Sequence, residues 1–295
     1  MLPFDYTIDQ KIDIIKKYIE NQKEQKLYSY WFDASTGDSW RHNRMYEIAD
    51  CLKHLDYKWL TIGDGRFGLD SLRLKRKGIK NIMPTDIKQN LLDAAQKEGW
   101  IESYSVENAE KLSFDDNSFD VIFCKESYHH FPHPQIGLYE MIRVAKEAVI
   151  LIEPNDPFIT NSIPFIIKQK IKNIIKRKYI PYAGFEPEGN YIYSISKREM
   201  EKIGIVQNMN SVAFKGLNDY YIKGIEFEPA DRKKSKIFDK TCKMISKMDK
   251  QCKLGFADYG LLMAALFKNP IDDNTKKLLI DNNWTIVELP KNPYI

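Results

Sequence analysis

At 43% hydrophobic and 29% charged side chains, the 295-residue chain can bury one large α/β core and is too apolar to stay disordered. No apolar run reaches the roughly 20 residues of a membrane span, and the start, Met1-Leu2-Pro3-Phe4-Asp5, lacks the basic and apolar stretches of a secretory signal; a cytoplasmic protein is expected. Net charge is a modest +4, and Cys51, Cys124, Cys242 and Cys252 form no C-x-x-C pair, so reduced thiols are expected and neither a disulfide framework nor a metal site is.

Residues 1–30 are predicted helical, with Ile12, Ile15, Tyr18 and Ile19 on one side. An aromatic segment follows (Tyr28, Tyr30, Trp31, Phe32, Trp40) and carries Asp38, Arg41, His42 and Arg44. The run Trp59-Leu60-Thr61-Ile62-Gly63-Asp64-Gly65-Arg66-Phe67-Gly68 then reads as a short apolar strand, a tight glycine turn and the start of a helix, Leu69 to Lys77. A second strand, Ile79 to Pro84, leads to Asp86, eighteen residues after Gly68. Gly63, Gly65 and Gly68 let the backbone turn sharply and approach a ligand that a Cβ would hold away. Asp86, at the carboxyl end of the next parallel strand, is placed to accept hydrogen bonds from both hydroxyls of a ribose. That pairing predicts a nucleoside cofactor.

Next come a helix, Gln89 to Glu98, the stretch Ser105-Val106-Glu107-Asn108-Ala109-Glu110-Lys111-Leu112-Ser113-Phe114, and Asp115 to Asp120 feeding the strand Val121 to Cys124. Lys125-Glu126-Ser127-Tyr128-His129-His130-Phe131-Pro132-His133-Pro134 leaves that strand, with three of the five histidines inside five positions. The fifth strand, Ala148 to Ile152, ends in Glu153-Pro154-Asn155-Asp156-Pro157, two prolines stiffening a polar loop. Residues 163–178 form a basic amphipathic helix: Lys168, Lys170, Lys172, Lys176, Arg177 and Lys178 are interleaved with Ile163, Ile167, Ile171, Ile174 and Ile175. The plainest reading is a cap helix whose isoleucines cover the cleft. A membrane-surface helix and a patch for a phosphorylated substrate fit the same pattern. A strand, Ser211 to Gly216, a long basic helix, Lys233 to Lys253, a buried strand, Gly260 to Phe267, and a tail with one more helix and a short edge strand complete the chain.

The glycine spacing also fits a dinucleotide fingerprint, yet the ordered set of motifs (glycine loop, Asp86, "ENAEKLSF", "SFDVIFC", "HHFPHP") resembles the class I S-adenosylmethionine-dependent methyltransferases over roughly residues 55–155. The resemblance implies an α/β fold: a Rossmann-like seven-stranded class I methyltransferase sheet with helices on both faces. To it are added a helical N-terminal segment (1–44), a core (45–156), a cap insertion (157–192) and a C-terminal part of the sheet with the tail (193–295). It implies S-adenosyl-L-methionine as cofactor, with Gly63, Asp64, Gly65, Arg66 and Gly68 near the methionine moiety, Asp86 and Ile87 at the ribose, Asn108 and Ala109 flanking the adenine, and Lys125 beside the same pocket. Thr61 stands where the family usually has a strand-end carboxylate, and Asp64 is expected to take over part of that role toward the ammonium group. Arg41 or Arg44 is expected at the methionine carboxylate.

A methyl acceptor needs alignment and, for a hydroxyl, removal of its proton. An imidazole suits that step. His129 is the preferred base and His130, which matches the recurring family histidine, the structural neighbour; Glu126 is to orient His129 or bind the acceptor. Tyr128, Glu153 and Asn155 are expected to bind substrate. Such polar loops suggest O-methylation of a sugar, nucleotide-linked or in a glycan, an assignment that follows the resemblance to bacterial methyltransferases of polysaccharide biosynthesis. The alternatives are a quinone-like or other amphipathic acceptor, and a non-catalytic cofactor-binding regulator. Expected partners are a small-molecule or glycan acceptor, anionic if the basic cap meets it, and a membrane surface through residues 163–178. No nucleic-acid partner is expected, since neither a stacking platform nor an N-P-P-Y or paired-cysteine signature is present.

Overall fold

The structure, a computed structural model, describes residues 33–156, 163–176, 184–186, 190–291 and 293–294. The predicted helix at 1–30 and most of the aromatic segment lie outside them. The described chain begins with α1 (Gly37–Asn43), whose first turn is capped by the Thr36 side chain accepting from Ser39 N–H, and α2 (Ile48–Leu52). Then alternate β1 (Lys58–Ile62), α3 (Leu69–Arg76), β2 (Asn81–Asp86), α4 (Gln89–Lys97), β3 (Ser105–Val106), β4 (Phe119–Lys125), α5 (Pro134–Val144) and β5 (Ala145–Pro154). After α6 (Ile163–Lys176) come α7 (Lys197–Val206), β6 (Ser211–Leu217), α8 (Lys236–Lys253), β7 (Leu261–Phe267), α9 (Asp273–Asp281) and β8 (Thr285–Glu288). Ser196, Ser235 and Asp272 cap α7, α8 and α9 through their side chains, as their short polar oxygens favour.

The eight strands among the described residues share one sheet in the order β3-β2-β1-β4-β5-β7-β6-β8. β1 to β5 are parallel, whereas β7 runs antiparallel to both β5 and β6. The expected seven strands are therefore eight, because the tail strand β8 pairs antiparallel with β6 and extends the edge.

The central strands read as apolar runs because both faces are covered. Along β1 and β4, Leu60 and Ile122 pack toward α5 and α7 (Met141, Met200), while Trp59 and Phe123 face α2 and α3. The strand order reverses between β1 and β4, so the crevice for a ligand opens at their carboxyl ends, where the glycine loop and the histidine loop both lie.

The basic helix is present as α6, but its isoleucines do not cover a cleft. Ile163, Ile167, Ile171, Ile174 and Ile175 are 51–74% exposed. No helix among the described residues is long and apolar enough to cross a membrane.

Candidate cofactor and acceptor site

The glycine loop is folded by its own carboxylate. Asp64 is buried and accepts from Thr61 Oγ1 (2.9 Å), Asp70 N–H (2.8 Å), Ser71 N–H (2.9 Å) and Ser71 Oγ (2.6 Å). It thus ties the end of β1 to the first turn of α3, whose unsatisfied N–H groups and dipole favour a carboxylate. Burial, reinforced by the charge of Asp70, pushes its pKa up to about 7. The expected role toward the cofactor's ammonium is replaced by this one: Thr61 took the place of the strand-end carboxylate, and Asp64 is spent bonding it.

Two of the glycines are required by close approach. Gly63 has φ +76°, and a Cβ there would lie 2.4 Å from the Ser127 side chain. At Gly65 a Cβ would lie 2.5 Å from Asp86 Oδ2, so only bare backbone can rest against that carboxylate. Asp86, at the end of β2, accepts from Lys88 N–H at 2.8 Å. Burial raises its pKa against the opposing Lys88 and Gly65 contacts. This backbone cradle beside a half-buried carboxylate, with the exposed apolar side chain of Ile87 next to it, fits the ribose end of S-adenosylmethionine. Asn108 and Ala109 are half-buried in the following loop; the amide oxygen of Asn108 accepts from Glu110 N–H (2.9 Å) and keeps a second lone pair for an adenine amine. Glu107, unremarked in the sequence, holds that loop by accepting from Ser105 and from Ser113. Replacing Asp86 with alanine should weaken S-adenosylhomocysteine binding by about 1–3 kcal/mol, read by titration calorimetry; unchanged affinity would remove Asp86 from the site.

Arg66 stands exposed at the edge of the loop. Lys125 is buried and paired with Glu126 (2.9 Å) and Asp70 (3.7 Å); burial works against its charge, but these two carboxylates outweigh it and raise its pKa. The arginines expected at the methionine carboxylate are engaged elsewhere. Arg41 pairs with Asp38 (2.7 Å) and Asp219, and Arg44 donates to the Asn218 carbonyl (2.9 Å).

At the carboxyl end of β4 the chain turns at Glu126, a non-glycine residue with φ +48°, into a short 3-10 turn, Tyr128–His130. Glu153, ending β5 with no exposed surface, reaches into that turn. Its Oε1 accepts from Ser127 N–H (3.0 Å) and Tyr128 N–H (2.9 Å), and its Oε2 lies 2.5 Å from His129 Nδ1. A carboxylate that accepts at Nδ1 leaves the lone pair of a neutral imidazole on Nε2. The orienting group for His129 is therefore Glu153 and not Glu126. Burial depresses the His129 pKa, but the Glu153 bond and charge, with Glu186 and Glu126, leave it above the ordinary histidine value. Glu126 itself is held near 2: burial opposes its charge, but Lys125 and His42 prevail.

Three expected substrate residues are internal. Tyr128 is fully buried, its ring edge-on to Phe131 and Tyr193, which makes it core. Asn155 donates to the Tyr259 carbonyl (2.9 Å) and fastens the β5 loop to the approach of β7. Glu153 serves the histidine turn. From the cap segment come two residues the sequence did not flag. Glu186 Oε2 lies 3.1 Å from His130 Nδ1 and 3.7 Å from His129 Nε2, and Asn190 donates to Glu186 (3.1 Å) and to the His129 carbonyl (3.3 Å). His130 is the more exposed of the two histidines; burial, then the neighbouring His129, lowers its pKa.

Residues 60–152 match the protein family described as "Methyltransferase domain". Among curated proteins, the chain is 28% identical over 174 residues to a ubiquinone/menaquinone biosynthesis C-methyltransferase of Paraburkholderia xenovorans, covering 56% of this chain and 70% of that one. It is 31% identical over 126 residues to a protein of the same name from Paraburkholderia phymatum, covering 41% of this chain and 52% of the relative. Of solved structures, a possible histamine N-methyltransferase from Thermotoga maritima aligns with 15% identity over 87% of this chain and 99% of its own, at a TM-score of 0.47. The plantazolicin methyltransferase, solved with S-adenosylhomocysteine, aligns with 15% identity over 88% and 90% at 0.45.

Proposed function

We propose that the chain is a class I S-adenosylmethionine-dependent methyltransferase whose acceptor is a small amphipathic molecule bearing a ring hydroxyl, of the quinol type, and that His129 takes the hydroxyl proton. When bound, S-adenosylmethionine supplies a methyl group on a positively charged sulfur that needs no further activation. The chain's own residues then act on the acceptor. His129 Nε2 removes the hydroxyl proton, Glu153 stabilises the imidazolium that results, and the cap segment at Glu186 and Asn190 borders the place where the hydroxyl sits. Loss of that proton raises electron density on the ring carbon beside the oxygen, the atom to which a C-methyltransferase adds the methyl group. The carbon's own hydrogen leaves as a proton when the ring regains aromaticity.

The buried His129–Glu153 pair is the observation that carries this reading, because a carboxylate-oriented imidazole is the arrangement of a general base. The named relatives support a quinone-like acceptor. Support for a sugar acceptor is withdrawn: Tyr128, Glu153 and Asn155, the side chains that suggested a polyol, are committed inside the protein. Incubating the protein with methyl-labelled cofactor and, in separate arms, short-chain quinols and nucleotide sugars tests the assignment. Label in the sugar arm alone would overturn it.

Helix α6 supports an acceptor held at a membrane surface. Its five exposed isoleucines would enter the interface, and Lys168, Lys170 and Lys172, all exposed, would meet anionic headgroups. Replacing Ile171, Ile174 and Ile175 with serine should cut partitioning onto vesicles containing phosphatidylglycerol by at least about tenfold, since burying one such side chain contributes about 1.5–3 kcal/mol. Equal sedimentation of wild type and variant with the vesicles would leave the helix without that role.

A further inference from the structure

The groups that meet at the acceptor side of His129 have a second chemistry available. One ring nitrogen each of His129 and His130 and a carboxylate oxygen of Glu186 all lie within 4.8 Å of one another. A tetrahedral ion with bonds of about 2.1 Å to nitrogen and oxygen sets its ligand atoms about 3.4 Å apart. Glu186 Oε2, at 3.1 and 3.7 Å from the two imidazole nitrogens, brackets that separation. The two rings are tilted 39° with centroids 4.1 Å apart, and each offers a nitrogen to the same oxygen.

The surroundings resemble those of a metal centre as well. A ligating histidine usually donates its other N–H to a carboxylate, which fixes the ring and raises its basicity. Glu153 does this for His129 at 2.5 Å, from a fully buried position. A ligating carboxylate is itself usually hydrogen-bonded, and Asn190 donates to Glu186 Oε2 at 3.1 Å. The donors come from two separate parts of the chain, the turn after β4 and Glu186 some sixty positions later, so an ion here would tie Glu186 to that turn.

We propose that His129, His130 and Glu186 form a binding site for one divalent transition-metal ion of the zinc class. Two imidazoles and one carboxylate suit Zn²⁺, Co²⁺ or Fe²⁺, whereas Mg²⁺ and Ca²⁺ prefer all-oxygen ligand sets. Three protein ligands leave a coordination position for solvent or for an acceptor oxygen. The inference rests on the geometry of the three side chains and is independent of the base assignment, but the two interact. An ion on Nε2 occupies the lone pair that would accept the proton, so the loaded protein cannot use His129 as a base.

Chelator-treated full-length protein is titrated with Co²⁺ and followed by its visible d–d absorption, then displaced with Zn²⁺. The expected result is one ion per chain, with intense bands of four- or five-coordinate cobalt. His130→Ala and Glu186→Gln should each weaken Co²⁺ binding by about 10–100-fold, and Glu153→Gln by a similar factor through His129. Thermal melting and S-adenosylhomocysteine binding of His130→Ala and Glu186→Gln confirm that they fold. Absence of the cobalt bands, or Co²⁺ affinity unchanged in both folded variants, overturns the site. Turnover separates the two readings: Zn²⁺ that binds and inhibits agrees with both, while Zn²⁺ that binds and accelerates leaves the site standing and removes His129 as the base.

Discussion

His129→Ala should lower turnover by about 10²–10⁴ while S-adenosylhomocysteine binds as before, measured by single-turnover methyl transfer and calorimetry. The factor is that of a lost general base, and cofactor affinity is spared because the cradle at Gly63, Gly65 and Asp86 belongs to other loops. The pH profile carries the stronger test. A base works in its neutral form, and folding raises the His129 pKa, with burial overcome by the Glu153 bond and charge. The rising limb of kcat/KM should therefore lie above the ordinary histidine value of about 6.5 and vanish in the variant. The same raised pKa gives the protonated pair a stabilising contribution that is full below the unfolded-state value and fades as pH rises through the folded one. His130→Ala should leave that limb in place. Its half-exposed ring also makes the sequence expectation of a mainly structural role too strong, so little stability should be lost. Full activity in His129→Ala removes the assignment.

What could be read from the sequence followed local pattern. β1, β4 and β5 are covered on both faces and appear as unbroken apolar runs; the glycine turn and Asp86 sit at fixed spacing because a strand, a turn and a helix set it. Misreadings arose where a polar side chain's partner is distant in the chain or on another element. Glu153 and His129 meet across 24 positions, and Arg41 reaches Asp219 across 178, so a strand-end carboxylate looked like a substrate group and an arginine like an anion ligand. Asp64 was misread for a nearer reason. The short polar side chains of Thr61 and Ser71 are ordinary in a sequence, and only the fold converges them on one carboxylate. The amphipathic pattern of α6 identified the helix correctly but could not say whether its apolar face meets protein, and in the structure that face is exposed. Glu186 and Asn190 carried no signal, because nothing in a loop's composition tells which residues will fold back onto a turn some sixty positions earlier.

Glu153→Gln should keep the fold and lose most of the activity. The glutamine oxygen can still accept from Ser127 N–H and Tyr128 N–H, so the turn after β4 remains held. Its amide nitrogen, however, would face His129 Nδ1 as a donor. That contact favours the opposite tautomer, with the proton on Nε2, where the acceptor's proton would have to arrive. Serine proteases show the size of such a tautomer error, about 10⁴ in kcat when the orienting carboxylate becomes an amide, and a loss of about 10²–10⁴ is expected here. Glu153→Ala should differ in kind. It removes the acceptor for two buried N–H groups and leaves His129 unpaired, which should cost about 3–5 kcal/mol of stability as well as the activity. Denaturant melts and methyl-transfer rates on the two variants separate orientation from folding. A glutamine variant as active as wild type would mean that Glu153 holds the turn but does not set the proton on His129.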